Sequence, residues 1–184
     1  MIIVSTDGSC LRNPGGAIGW AWVNHQGSAQ SGGAPTGTNQ IAELRAVLEA
    51  VQAHPGPEPL LIESDSLYAI KCASEWLSSW RLNGWRTSGG GTVKNAELIK
   101  SIDRAISGRP GPVRFRWVRG HVGNYFNEQA DTLAGAAARA AALSIADYDD
   151  ELVISAPDDL PEQTTRPRAA GKTVAATPQA LTLF

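Results

Sequence analysis

Several absences in this 184-residue chain narrow its function before any motif is considered. It has two cysteines, Cys10 and Cys72, one methionine and three histidines. Two cysteines make no disulfide framework, and with three scattered histidines they make no Cys₄ or Cys₂His₂ zinc site, so free thiols in a reducing compartment are expected. No stretch reaches the ~18 apolar residues of a membrane span. The longest candidate, residues 133–146, is short and carries Arg139. The opening Met-Ile-Ile-Val-Ser-Thr-Asp has no basic n-region, so no secretory signal is expected. Nothing in the composition suggests a membrane partner. A cytoplasmic, soluble protein is expected, with a monomer as the default.

What is present is one ordinary domain with an appendage. The chain is 42% hydrophobic and 18% charged, enough for a sizeable core. Its net charge of −2 is unevenly divided. Residues 1–143 hold 13 Lys/Arg against 11 Asp/Glu, whereas residues 144–184 hold 3 against 7. If several acids of the first part gather on a metal, the remaining surface there is basic and suits a polyanion.

The apolar runs at residues 2–5 and 18–23, split by Asn13-Pro14-Gly15-Gly16, predict an antiparallel pair, with a weak third strand over 29–33. Ile41, Leu44, Leu48 and Val51 share one helical stripe, which His54-Pro55-Gly56 ends. A buried strand at 60–62, helix from about Leu67, an irregular Trp-rich stretch over 76–94, helix over 96–106, a strand over 113–118 and an Ala-rich helix over 127–143 follow. Strands first, then strands alternating with helices, predict a mixed α/β sheet with helices packed on it. The change to Asp, Pro, Thr and Ala beyond Ser144 predicts a flexible linker over 144–178.

Four acids occupy places a fold could bring together. Asp7 follows one strand and Asp65 ends another, while Glu43 and Asp131 lie on the first long helix and the last. Carboxylates so placed suit magnesium, a hard cation that takes oxygen ligands. Two such ions can activate water and stabilise a leaving oxygen in phosphodiester cleavage. Taken singly, Asp7 also suits an Asx-turn and Asp65 a helix N-cap, and spacing alone does not decide.

Seven blocks in order carry a resemblance over residues 1 to about 142. They are Thr6-Asp7-Gly8-Ser9-Cys10 with Asn13-Pro14-Gly15; Thr38-Asn39-Gln40-Ile41-Ala42-Glu43-Leu44; Glu63-Ser64-Asp65-Ser66-Leu67-Tyr68; Trp76…Trp80…Gly84-Trp85-Arg86-Thr87; Val93-Lys94-Asn95; residues 117–123; and residues 127–134. Together they resemble ribonuclease H type 1. The resemblance implies the ribonuclease H fold, a five-stranded mixed sheet flanked by helices. It also implies sequence-independent cleavage of the RNA strand of RNA–DNA hybrids, leaving 5′-phosphate and 3′-hydroxyl ends. By position, Asp7, Glu43, Asp65 and Asp131 match the family's metal-binding catalytic acids, holding two Mg²⁺ with substrate, for which Mn²⁺ can substitute.

His121 matches the family's loop histidine, suited to moving a proton. His25 and His54 match nothing and are read as surface residues. Cys10, Asn13, Asn39 and Gln40 match positions lining the hybrid's minor groove, where the 2′-hydroxyl distinguishes RNA. Thr38 and Asn95 match a phosphate pocket for the DNA strand. Trp76, Trp80 and Trp85, with Arg81, Arg86 and Lys94, match a basic protrusion that grips that strand, although Leu82 and Asn83 leave it weakly charged. Trp76 and Trp80 are spaced i, i+4, so one of them suits the core equally.

Two rival readings remain: an idle hybrid-binding adaptor, opposed by the four intact acids, and a DNA-acting relative such as a resolvase or transposase core, opposed by Asn39-Gln40 and the tryptophans. The final hexapeptide Gln179-Ala180-Leu181-Thr182-Leu183-Phe184 resembles a bacterial sliding-clamp-binding motif. Gln179, Leu181, Leu183 and Phe184 would contact the clamp, and the linker would tether the nuclease there.

Overall fold

The computed structural model describes residues 1–154, with side chains described through Ser144. Its strands are β1 (Ile2–Cys10), β2 (Ile18–Asn24), β3 (Ala29–Ala34), β4 (Leu60–Ser64) and β5 (Val113–Trp117). Its helices are α1 (Asn39–Ala53), α2 (Leu67–Ala73), α3 (Leu77–Leu82), α4 (Ala96–Ser107) and α5 (Tyr125–Ile154). The sheet runs β3-β2-β1-β4-β5, antiparallel among β1, β2 and β3 and parallel from β1 through β4 to β5. The mixed five-stranded sheet with helices is therefore as expected.

The period-2 rule divides the sheet into two faces. Val4 and Ile62 point to the side where α1 buries Leu44, Val47 and Val51 and α4 buries Ile99 and Ile102, which is the main core. α5 lies on the opposite face, over β1, β2 and β3. α1 starts at Thr38, whose Oγ accepts from the Ile41 N–H at 3.2 Å, a side-chain N-cap. Its apolar stripe then turns Ala42 to Val51 onto the sheet.

Four departures from the sequence reading have simple causes. The 76–94 stretch contains α3, a short helix carrying Trp80 and ending at Asn83. α5 begins two residues earlier than expected and continues through Ile154, beyond the 143 boundary, because no Gly or Pro interrupts residues 136–156. His54 is buried, not on the surface: its Nδ1 lies 2.7 Å from the Ala50 carbonyl and its Nε2 3.2 Å from Asn24 Nδ2, with the Trp22 ring edge-on to it. His25 is half-buried, stacked on Phe126 with ring centroids 3.8 Å apart. Both histidines satisfy polar and aromatic partners from elements distant in sequence, which no local pattern announces. Residues 179–184 lie outside the described residues.

Candidate active site

β1 and β4 are parallel neighbours, and α1 crosses β1; Asp7 lies within β1, opposite Ala21, rather than after a strand ending near Ser5, because the pairing with β2 carries the ladder on to Cys10. Gly8 makes that crossing close, because a Cβ there would overlap the backbone of Ala42 and Glu43. The consequence is chemical: Glu43 comes down beside Asp7. Asp65 sits one residue past β4, with Ser66 rather than Asp65 capping α2 by accepting from the Ala69 N–H at 3.2 Å. Asp65 is thus free of capping duty. One carboxylate oxygen from each of Asp7, Glu43 and Asp65 lies within 4.8 Å of the others.

Three acids at that separation are under mutual electrostatic load. Burial pushes the Asp7 carboxyl up to about 7, with the Asp65 charge adding to the rise and the Gly8 N–H, 2.7 Å from Asp7 Oδ1, opposing it. Burial and then the charges of Asp7 and Asp65 hold Glu43 well above its ordinary range. Burial also raises Asp65, more modestly. Glu43 Oε2 is buried with no hydrogen-bond partner among the described residues, an orphan acceptor whose cost a cation would remove. An all-oxygen donor set with one unsatisfied buried carboxylate oxygen fits a hard divalent cation.

Asp131 stands apart from the three. It lies on α5 with its side chain 46% exposed, 3.8 Å from His121 Nδ1, close enough for its charge to raise both Asp7 and Asp65. His121 is more open still, at 76%, in a loop with positive φ. The turn is held by Glu128, which accepts from the Gly123 N–H at 2.8 Å. Asp131 and His121 therefore form the open lip of the site and Asp7, Glu43 and Asp65 its floor.

The other sequence-derived residues form two groups around this centre. Asn13 Oδ1 accepts from the Asn39 N–H at 3.3 Å, joining the β1–β2 turn to the start of α1, and Cys10 Sγ lies 3.3 Å from the Arg12 carbonyl. The Gln40 Oε1 is buried and unpartnered among the described residues. Beyond α2, Asn95 takes a left-handed conformation and donates to the Tyr68 hydroxyl at 3.1 Å. Trp76 and Trp80 lie tilted with centroids 5.4 Å apart. Trp80 and Trp85 pack against the core, whereas Trp76, Arg86 and Lys94 are exposed.

Two contributors escape the sequence reading. Trp117 Nε1 donates to the Asp65 carbonyl at 3.1 Å, and Gly120 lies so near the Asp65 carboxylate that a Cβ would overlap Oδ2. Only the β4–β5 register brings either residue to Asp65.

The RNase H family model matches residues 1–139. The Ribonuclease H of Tropheryma whipplei (strain Twist) is 44% identical over 138 residues, covering 74% of this chain and 84% of the relative. That of Paracidovorax citrulli is 40% identical over 136 residues, 72% of this chain and 91% of the relative. Among solved structures, LC9-RNase H1, a type 1 RNase H with the type 2 active-site motif, superposes with a TM-score of 0.62 at 29% identity over 76% of this chain and 72% of that one. The foamy viral protease-reverse transcriptase in complex with RNA/DNA hybrid matches in fold, with a TM-score of 0.65 at 24% identity, over 74% of this chain and 20% of that one. With the family model spanning three quarters of its length and the acids meeting as they do, this chain belongs to the ribonuclease H family.

Proposed function

We propose that this protein hydrolyses the RNA strand of RNA–DNA hybrids in a magnesium-dependent reaction, without sequence preference. The observation that carries the reading is the meeting of Asp7, Glu43 and Asp65, with Glu43 Oε2 buried and unpartnered among the described residues. These three would hold the cation, and Asp131 would complete the set from the lip. Bound there, divalent ions supply an acidified water and neutralise charge growing on the leaving oxygen. In the reaction a water oxygen bonds to phosphorus and the P–O3′ bond breaks, so phosphate remains on the 5′ side of the downstream fragment. O3′ leaves with a proton. His121, exposed and beside Asp131, is placed to move protons at that lip.

Recognition would use sugar and phosphate rather than base edges. Gln40 Oε1, a buried acceptor without a partner among the described residues, suits a 2′-hydroxyl, with Cys10, Asn13 and Asn39 alongside. Thr38 and Asn95 would take a DNA-strand phosphate, and Trp76, Trp80, Trp85, Arg86 and Lys94 the adjoining backbone. The four acids come from one chain, so the reaction requires no second copy.

The test is a labelled series of RNA–DNA, RNA–RNA and DNA–DNA duplexes with magnesium, with manganese, with EDTA, and with Asp65→Asn. Metal-dependent cutting of RNA in the hybrid alone, lost in the variant while hybrid binding persists, is expected. Tight hybrid binding with no cutting by the parent would replace this reading with that of a binding adaptor.

We propose further that residues 1–143 form the catalytic unit, with 144–178 as a tether and 179–184 as a sliding-clamp ligand. The leucine and phenylalanine anchors ending a polar segment support this. A peptide of residues 175–184 should bind the clamp and Phe184→Ala should abolish most of that binding; equal affinities would dismiss the idea.

A further inference from the structure

β5 is an edge strand, and its two faces differ. Val113 and Phe115 pack toward the core, while Arg114 and Arg116 point to the other side and are exposed. On that side α5 covers β1, β2 and β3, and no helix among the described residues packs over β4 and β5. The uncovered flank is therefore a basic strip. Past the strand end Arg119 is exposed and adjoins Gly120, which lies on the Asp65 carboxylate. No carboxylate among the described residues pairs with Arg114 or Arg119.

Arg116 is held from beneath. Its guanidinium is paired with Glu63 Oε1, and Glu63 is 3% exposed. The other Glu63 oxygen accepts from the Ser5 hydroxyl at 3.3 Å, and that hydroxyl also lies 3.0 Å from His25 Nε2. A buried carboxylate with both oxygens engaged fixes the guanidinium at its rim, leaving the outward N–H donors, on a side chain 54% exposed, aimed at solvent. Glu63 neutralises one charge, so the strip keeps the two of Arg114 and Arg119.

The strip begins at the catalytic cluster and leads away from it. The β4–β5 register sets Glu63 beside Arg116, and Arg114 lies one pleat further from Asp65, about 13 Å along the strand at ~3.3 Å per residue. That is the rise of about four base pairs at ~3.4 Å each. It is also a different flank from the Trp76–Trp80 protrusion, which packs on the core side with α2 and α3.

We infer that Arg114, Arg116 and Arg119 form a second phosphate-binding surface, which takes the nucleic-acid backbone flanking the cleavage site on one side of it. The inference rests on the hydrolase reading for its register. The occupant is a duplex phosphate backbone because the donors are guanidinium forks, those of Arg114 and Arg119 without a carboxylate partner among the described residues, leading out of a phosphodiester site.

The experiment uses the full chain carrying Asp65→Asn and labelled duplexes whose ribonucleotides are confined to a central block of one strand, which fixes the register. DNA flanks are lengthened by about four and about eight base pairs on one side or the other. Lengthening on one side only should raise affinity. Arg114→Ala should remove about eightfold of that gain at ~0.1 M salt and lower the salt slope by about 1, the change expected when one phosphate is no longer neutralised. The core duplex should bind parent and variant equally, and Arg114→Lys should retain most of the gain. Because Arg116→Ala would leave Glu63 buried and unpaired, Arg116→Lys is the second variant; it keeps a charge over Glu63, loses the fork and should lose part of the gain with an unchanged melting temperature. A flank gain identical in Arg114→Ala, or a loss equally large on the core duplex, would overturn the strip. Failure of the chain with Asp65 intact to cut the ribonucleotide block with magnesium would instead overturn the hydrolase reading, which separates the two.

Discussion

Replacing Asp7 with asparagine should stabilise the metal-free protein while ending its turnover. Asp7 titrates at about 7 in the fold against 3.8 in its ordinary environment, because it is buried beside other carboxylates. The fold therefore binds this proton more tightly than the unfolded chain does, and the metal-free protein loses stability as pH rises from about 4 to about 7. At 1.36 kcal/mol per unit, a rise of about three units sets a ceiling of about 4 kcal/mol at pH 8. Repacking and shared protonation with Glu43 should bring the measured gain nearer 2 kcal/mol. Asparagine is the suitable probe because its Oδ1 can still accept the Gly8 N–H bond that Asp7 accepts at 2.7 Å. Urea unfolding in EDTA at pH 5 and pH 8 reads the effect directly. With slopes of about 1–3 kcal/mol/M, the midpoint of Asp7→Asn at pH 8 should lie roughly 1 M above the parent's, with a smaller difference at pH 5. Magnesium should raise the parent's midpoint at pH 8 and leave the variant's nearly unmoved. Parallel stability–pH curves for parent and variant in EDTA would refute the reasoning.

Three further outcomes follow from the same geometry. Because Asp7 titrates at about 7 and Glu43 is held well above its ordinary range, magnesium binding should release protons and strengthen between pH 6 and pH 8; calorimetry in buffers of different ionisation enthalpy measures the release, and a pH-independent affinity would contradict the raised values. Gly120→Ala should lower turnover at least tenfold with a melting shift of only a degree or two, since it displaces a side-chain oxygen of Asp65, whereas Gly8→Ala should cost about 3 kcal/mol or more, since it collides with the backbone of α1; equal thermal effects would fail this distinction. Asn95→Ala should destabilise by about 1–2 kcal/mol through its left-handed backbone, and Asn95→Gly by about 1 kcal/mol less, as chemical denaturation would show.

Within the described residues, local pattern was enough to place nearly every element. Apolar runs announced β1 and β2, though not the length of β1, and the Ile41–Leu44–Leu48–Val51 stripe marked the buried face of α1. The acids are legible for a different reason: Asp7, Glu43, Asp65 and Asp131 each lie in a contiguous block that resembles a family, which marks them without reference to their distances. Alone, spacing along the chain could not have separated Asp65 from an N-cap, and the structure gives that duty to Ser66.

What only the tertiary structure decided depends on register between strands far apart in sequence. The pairing of β4 with β5 sets Trp117 under the Asp65 carbonyl and Arg116 over Glu63, and the pairing of β1 with β2 and β4 brings Ser5, His25 and Glu63 together. The division of the site into a three-carboxylate floor and an open Asp131–His121 lip is of the same kind. A sequence fixes periodicity and chemistry through near neighbours; burial, proton affinity and which cation is left facing solvent are set by distant segments that share a dielectric and a hydrogen-bond network.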